Sequence, residues 1–144
     1  MGDVRLAGAV EMPDHCWVRG RGLRHGLPEG PLPEFGLYLV SARVWRKQEV
    51  AWEHIWVEWP DFLLPRDRDA AVRAIRELHR RALDGQRVEV ACGGGVGRTG
   101  TVMACLATLS GLAPDKAVNW VREEYHPRAV ETPWQRRWIG RFAE

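Results

Sequence analysis

Lysine is nearly missing from this chain of 144 residues: of its 21 basic residues only Lys47 and Lys116 are lysines, the rest being arginines. That bias has two readings, a surface suited to bidentate phosphate recognition or a codon bias with no functional meaning, and both stay open here. Cysteine is scarce as well. Cys16, Cys92 and Cys105 are odd in number and lack metal-ligand spacing, so neither a disulfide framework nor a zinc site is indicated, and a reducing compartment is expected. There is no long hydrophobic run: the longest uncharged stretch, residues 99–114, is too short to cross a bilayer. Residues 1–6 hold no apolar signal core and no Ser or Thr at the sixth position for myristoylation. A cytoplasmic location without membrane attachment is expected. What is present is a globular balance, 45% hydrophobic and 28% charged with a net charge of +2, which excludes a disordered or collagen-like chain. The length fits one domain, residues 1–144, able to bury a core without disulfides.

No repeat or low-complexity tract interrupts the chain. Residues 4–10 read as a short strand ended by Pro13, and the Gly-, Pro- and Arg-rich stretch 20–34 as a surface loop. Strands are expected over 35–44 (with its turn), 50–59 and 87–91. Residues 68–83 carry Ala71, Ile75, Leu78 and Ala82 at helical spacing, with Asp84-Gly85 as the exit. A helix apolar on all sides, hence buried, is expected over 98–110, followed by helices over 114–125 and from Thr132 to about residue 142, with Pro133 at the first helical position. The fold class is therefore α/β: a central, mainly parallel sheet of four to five strands flanked by helices, with an all-helical C-terminal part.

The informative segment lies at a strand–loop–helix junction, Cys92-Gly93-Gly94-Gly95-Val96-Gly97-Arg98-Thr99-Gly100. Its glycines let successive backbone N–H groups turn inward into an anion-binding nest, and the helix that follows adds the positive end of its dipole. Gly95-Val96-Gly97-Arg98-Thr99-Gly100 matches the dinucleotide fingerprint G-x-G-x-x-G, but that fold needs further strands and nothing after Gly100 reads as one. A nucleoside-triphosphate loop needs Gly where Cys92 stands and Lys where Arg98 stands. Cysteine, five residues, arginine and threonine suit a third chemistry. Cys92 is the nucleophile, Gly93, Gly94, Gly95, Val96, Gly97 and Arg98 cradle the phosphate, and Arg98 also grips its equatorial oxygens. Such surroundings hold a thiol as thiolate at neutral pH. Thr99 donates to the sulfur and eases its departure. Cys16 forms no such loop, because Gly22 stands six residues beyond it.

A thiolate needs a proton donor for its leaving group. Trp59-Pro60-Asp61-Phe62 offers one: Asp61 stands at a proline-ended strand exit between two aromatics expected to desolvate it in part, on a loop able to close over substrate. Once ionised, the same group serves as base for water. The ordinary alternative is a turn or N-cap aspartate.

With these residues the chain resembles the cysteine-dependent protein tyrosine phosphatase superfamily in its compact form, similar to the dual-specificity and bacterial phosphatases. It matches the W-P-D loop at Trp59, Pro60 and Asp61, and the C-x-x-G-x-G-R-[ST]-G loop at Cys92, Gly95, Gly97, Arg98, Thr99 and Gly100. It also matches an A-V-E-T-x-x-Q segment, residues 129–135. The resemblance covers residues 50–140 well and the first 45 poorly. It implies a phosphatase-like fold, a phosphocysteine intermediate, no cofactor or metal, and Gln135 as the residue orienting the hydrolytic water. Thr132 and Gln135 equally form a capping box, which leaves that role open. The family's usual His before the cysteine is here Ala91. The resemblance implies that activity survives this change, with an optimum displaced to higher pH.

Phosphoinositide-directed members of the superfamily carry basic residues where Gly93, Gly94 and Val96 stand, so the expected substrate is singly phosphorylated. A phosphorylated protein or peptide is the expected partner, phosphotyrosine first and dual specificity next. Trp52, Trp56 and Trp59 are candidates for an aromatic entrance, although core filling explains most tryptophans. Two other classes stay open: a phosphate-binding module without turnover, and an RNA or nucleotide 5′-phosphatase using Arg19, Arg21, Arg24, Arg136 and Arg137. Nucleic acid is not the favoured partner. In the unmatched first 45 residues, Arg19 or Arg21 is expected to form a pocket rim that meets acidic groups of the substrate.

Overall fold

The computed structural model describes residues 4–144. The strands are β1 (Val10–Glu11), β2 (Trp17–Gly22), β3 (Phe35–Val40), β4 (Glu53–Glu58) and β5 (Val88–Cys92). The helices are α1 (Ala42–Trp45), α2 (Arg68–Leu83), α3 (Gly97–Leu109), α4 (Pro114–Glu124) and α5 (Pro133–Phe142). One five-stranded sheet runs β1-β2-β5-β3-β4, parallel throughout except for β1. β5 is central, so the cysteine loop emerges from the carboxyl end of a strand paired on both sides, where ligands of open α/β sheets bind.

The N-terminal fifth departs from expectation. The strand expected over 4–10 shrinks to the two residues of β1, because Gly8 takes a turn conformation at φ +80°. The expected surface loop over 20–34 begins inside a strand, since β2 continues to Gly22 in register with β5, Gly20 opposite Val90 and Gly22 opposite Cys92. Those glycines mark close approach rather than a turn. A Cβ at Gly20 would collide with the Tyr125 ring, and one at Gly22 would lie 2.7 Å from the Gly94 backbone.

Strand alternation gives the sheet two unlike faces. Val18, Phe35, Leu37, Val57, Val88 and Val90 pack with Ala71, Ala74, Ile75 and Leu78 of α2 and with the apolar side chains of α3 in one core cluster. Each valine, leucine, isoleucine or phenylalanine among them contributes roughly 1.5–3 kcal/mol by leaving water. On the other face Glu89, wholly buried, accepts from Arg19 (2.6 Å), Arg21 (2.8 Å) and the Tyr38 hydroxyl (2.6 Å), and Trp52 Nε1 donates to Tyr38 in turn at 2.7 Å. Burial opposes the Glu89 charge, but the bonds from Arg21 and Tyr38 outweigh it and hold the carboxyl below its ordinary range. A stack of Tyr38 on Trp45 (5.6 Å) and Trp45 on Trp56 (5.9 Å) covers this face beyond the ion pairs.

The helix ends follow their sequence. Asp67 caps α2, accepting from the Ala70 N–H at 3.0 Å. Thr132 and Gln135 form the capping box of α5, which Pro133 opens. Among the described residues no helix is long and apolar enough to cross a membrane.

Candidate active site

Cys92 ends β5 with only 2% of its surface exposed. Its Sγ accepts from the Gly95 N–H at 3.2 Å and from the Thr99 hydroxyl at 3.1 Å. Gly95 turns the loop at φ +75°, a conformation that side chains resist, and a Cβ there would also lie 2.8 Å from the Arg21 backbone. α3 starts at Gly97, and Val96 before it offers no side-chain cap. The first-turn N–H groups of α3 are thus left for an anion, beside the positive end of the helix dipole.

Arg98 is buried and tied down. Its Nη1 donates to the carbonyls of Leu39 (3.1 Å) and Trp59 (2.9 Å), at the carboxyl ends of β3 and β4. Nη2 reaches Asp61 Oδ1 at 3.4 Å. The carboxylate and the guanidinium, which the sequence assigns separate roles, therefore meet across the mouth of one pocket. That pocket, about 290 Å³, is lined by Arg24, Val40, Ser41, Val44, Asp61 and Arg98 among others.

The two aromatics beside Asp61 do not desolvate it. Trp59 is fully buried, donates to the Leu63 carbonyl at 2.8 Å and packs on Trp138 at 5.4 Å, so it anchors the loop from below. Phe62 is half exposed at φ +62°, and the Asp61 side chain is 44% exposed. Trp134 of α5 ties the loop from outside, donating to the Phe62 carbonyl at 2.6 Å. No tryptophan lines the pocket: Trp52 and Trp56 are spent on the Tyr38 hydroxyl and the Val40 carbonyl. An aromatic entrance is thus absent among the described residues, and aliphatic Val40 and Val44 stand in its place.

Gln135 is wholly buried and fills half of its expected double role. Its Oε1 accepts from the Glu131 and Thr132 N–H groups at 3.0 and 3.2 Å, while Nε2 has no partner. The cap thus uses only the oxygen end of the amide.

Arg19 and Arg21 do not meet substrate. Both are consumed by Glu89 inside the sheet, which also removes them from any nucleic-acid surface. Three residues near the site have no catalytic or loop-supporting role legible in the sequence. Tyr125, beyond α4, donates to the Gly95 carbonyl and so holds the loop from below. Glu131 lies against Gly97, where a Cβ would strike its carboxylate; burial first, then the charge of Asp61, raises its pKa. Arg24, on the sequence only a candidate for nucleic-acid surface, lines the pocket. The available signal was Gly20 and Gly22 in β2, two glycines whose missing side chains make room for Tyr125 and for the loop.

The residues suited to a metal lie elsewhere. Asp14, Cys16 and His79 bring ligand-type atoms within 4.8 Å of one another near the amino end of β2. The Asp14 carboxylate is already engaged, by His79 at 2.7 Å and the Cys16 N–H at 3.3 Å, and the group serves as a polar anchor between the β1–β2 turn and α2. Burial opposes the Asp14 charge, but bonds from Cys16 and His79 bring its pKa to about 2. The Cys16 thiol, buried beside that carboxylate, is pushed up to about 12.

A parallel sheet presenting a sulfur beneath a glycine loop, with guanidinium and carboxylate opposed at the rim, defines a phosphatase of the tyrosine-phosphatase superfamily by its architecture. The chain belongs to the PTP-SAK family, described as "Swiss Army Knife protein, DSP-PTPase phosphatase domain", whose model matches residues 53–138, and so to the dual-specificity-like branch of that superfamily. An uncharacterized protein of Methanocaldococcus jannaschii, MJECL20, is 42% identical over 59 residues, 41% of this chain and 39% of that protein, so the match spans about two fifths of the relative. Tk-PTP in its active form superposes with a TM-score of 0.68 at 22% identity, over 95% of this chain and 97% of that one. Kinase associated phosphatase, crystallised with serine for its catalytic-site cysteine, gives 0.71 at 14% identity over 99% and 95%. At such identities these two likenesses speak for the fold alone.

Proposed function

We propose that this chain hydrolyses phosphomonoesters through a phosphocysteine intermediate, with phosphotyrosine peptides as first substrates and dual specificity close behind. The observation that carries this reading is the Cys92 sulfur, held by the Gly95 N–H and the Thr99 hydroxyl within the same loop whose Gly93 and Arg98 line a pocket together with Asp61. Residues 1–144 act as one catalytic domain. Three unpaired thiols support work in a reducing compartment such as the cytoplasm.

In the first step the Cys92 thiolate attacks phosphorus and the ester P–O bond breaks, while protonated Asp61 gives its proton to the leaving oxygen. The loop N–H groups and the Arg98 Nη2 hold the equatorial oxygens as charge redistributes. In the second step water attacks phosphorus, Asp61 takes its proton, and the P–S bond breaks. The Thr99 hydroxyl, already 3.1 Å from Sγ, stabilises the departing sulfur. Gln135 Nε2 is the donor available to orient that water. The Val40–Val44 wall accepts an aryl ring, and the uncharged residues Gly93, Gly94 and Val96 place no second cation inside the cradle itself.

The test is turnover of p-nitrophenyl phosphate by the wild type, Cys92→Ser and Asp61→Asn. Cys92→Ser should abolish activity, and Asp61→Asn should lower kcat by roughly 10²–10⁴. Wild-type turnover no greater than that of Cys92→Ser would leave a phosphate-binding module instead.

A further inference from the structure

One cation at the pocket is unused by that chemistry. Arg24 sits on a 3-10 turn, Leu23–His25, directly after β2, and its backbone N–H donates to the Gly93 carbonyl at 3.1 Å. The guanidinium lies across the loop. A Cβ on Gly93 would stand 3.4 Å from its Nη2 and 3.6 Å from its Nε, and one on Gly94 would stand 4.0 Å from its Nη1. The same Gly93 Cβ would be 3.3 Å from Arg98 Nη2, so two guanidinium groups flank a single glycine.

Their circumstances differ. Arg98 is committed to two carbonyls and to Asp61. Arg24 is exposed, and among the described residues no carboxylate lies within ion-pair distance of it and no acceptor within hydrogen-bond distance of its side chain. By contrast Arg19, Arg21, Arg80 and Arg81 all have carboxylate partners. Two like charges facing one glycine repel, and anions offset that cost. One phosphate fills the cradle and engages Arg98. The fork of Arg24, exposed and lining the same pocket, stays open.

Resting on the proposed phosphatase reading, we infer that Arg24 forms a second anion subsite, which selects phosphopeptides carrying a carboxylate next to the phosphorylated residue. A planar fork with no internal partner suits a carboxylate bidentately, and its exposure limits the gain to that of a surface ion pair.

The test uses two phosphotyrosine peptides that differ only in having Glu or Gln on both sides of the phosphorylated residue. Their Kd values are measured on Cys92→Ser, and kcat/KM on the wild type. The Glu peptide should bind roughly three- to fivefold more tightly, the range open to an exposed ion pair, and the preference should shrink with added salt. In Cys92→Ser/Arg24→Gln the ratio of the two Kd values should fall to about one, and Arg24→Lys should restore part of it. A Kd ratio already near one in Cys92→Ser, or a ratio unchanged by adding Arg24→Gln, overturns the subsite. Failure of the phosphatase reading looks different: no Cys92-dependent turnover, with the binding preference still present.

Discussion

The Tyr125 hydroxyl donates a hydrogen bond to the Gly95 carbonyl, and the N–H of the same Gly95 donates to Cys92 Sγ at 3.2 Å. One peptide unit on either side of Gly95 thus links a side chain beyond α4 to the nucleophile. Burial, with the nearby sulfur charge adding to it, pushes the Tyr125 hydroxyl well above its ordinary range, so it stays a donor at any working pH. The ring occupies the space left by Gly20. Tyr125→Phe keeps the ring and removes the donor. The expected cost is about 1 kcal/mol, or about fivefold in kcat/KM, with alkylation of Cys92 by iodoacetate shifted to higher pH. An unshifted alkylation profile would show that Tyr125 only fills space.

Glu131 presents a second carboxylate to the loop, against Gly97 and within the field of Asp61 and Arg98. Its negative charge opposes a phosphate dianion in the cradle. Because its pKa is raised, that opposition appears only as pH climbs through a value above the ordinary glutamate range. Glu131→Gln should therefore tighten vanadate inhibition a few-fold at high pH and less at low pH. Equal inhibition of both proteins across the pH range would place the Glu131 charge too far from the anion to matter.

The Glu89 cluster sets the response to acid. Its carboxyl is held below the ordinary range in the fold, and that of Asp14 at about 2. Unfolded, these groups titrate near ~4.3 and ~3.9. A depressed folded pKa contributes stability that is complete above the unfolded value and is lost as pH falls through the folded one. Urea unfolding should accordingly weaken below about pH 4. At pH 7, Glu89→Gln should cost about 3–5 kcal/mol, because Arg19 and Arg21 stay buried without their partner. At pH 3 the gap between variant and wild type should narrow. A gap independent of pH would assign the loss to packing alone.

Local chemistry made much of this protein readable in one dimension. The apolar stripe of α2, the cap and proline of α5, and the cysteine–glycine–arginine loop each rest on neighbours close in sequence, whose spacing is fixed by helix or turn geometry. That is why Cys92, Arg98 and Thr99 stand where their order predicts. The long-range relations were decided only when the sheet assembled. β2 was hidden because its glycines read as a turn, whereas they clear space for Tyr125 and Gly94, residues distant in the chain. Arg19 and Arg21 pointed to solvent on composition alone, and only pairing with β5 turned them inward to Glu89. Trp59 joined the core rather than the pocket because α5 brings Trp138 against it. Arg24 gained its position from strand register, which delivers the end of β2 beside Gly93. Backbone propensity acts over a few residues, while burial and charge pairing act between whichever segments the sheet order makes neighbours.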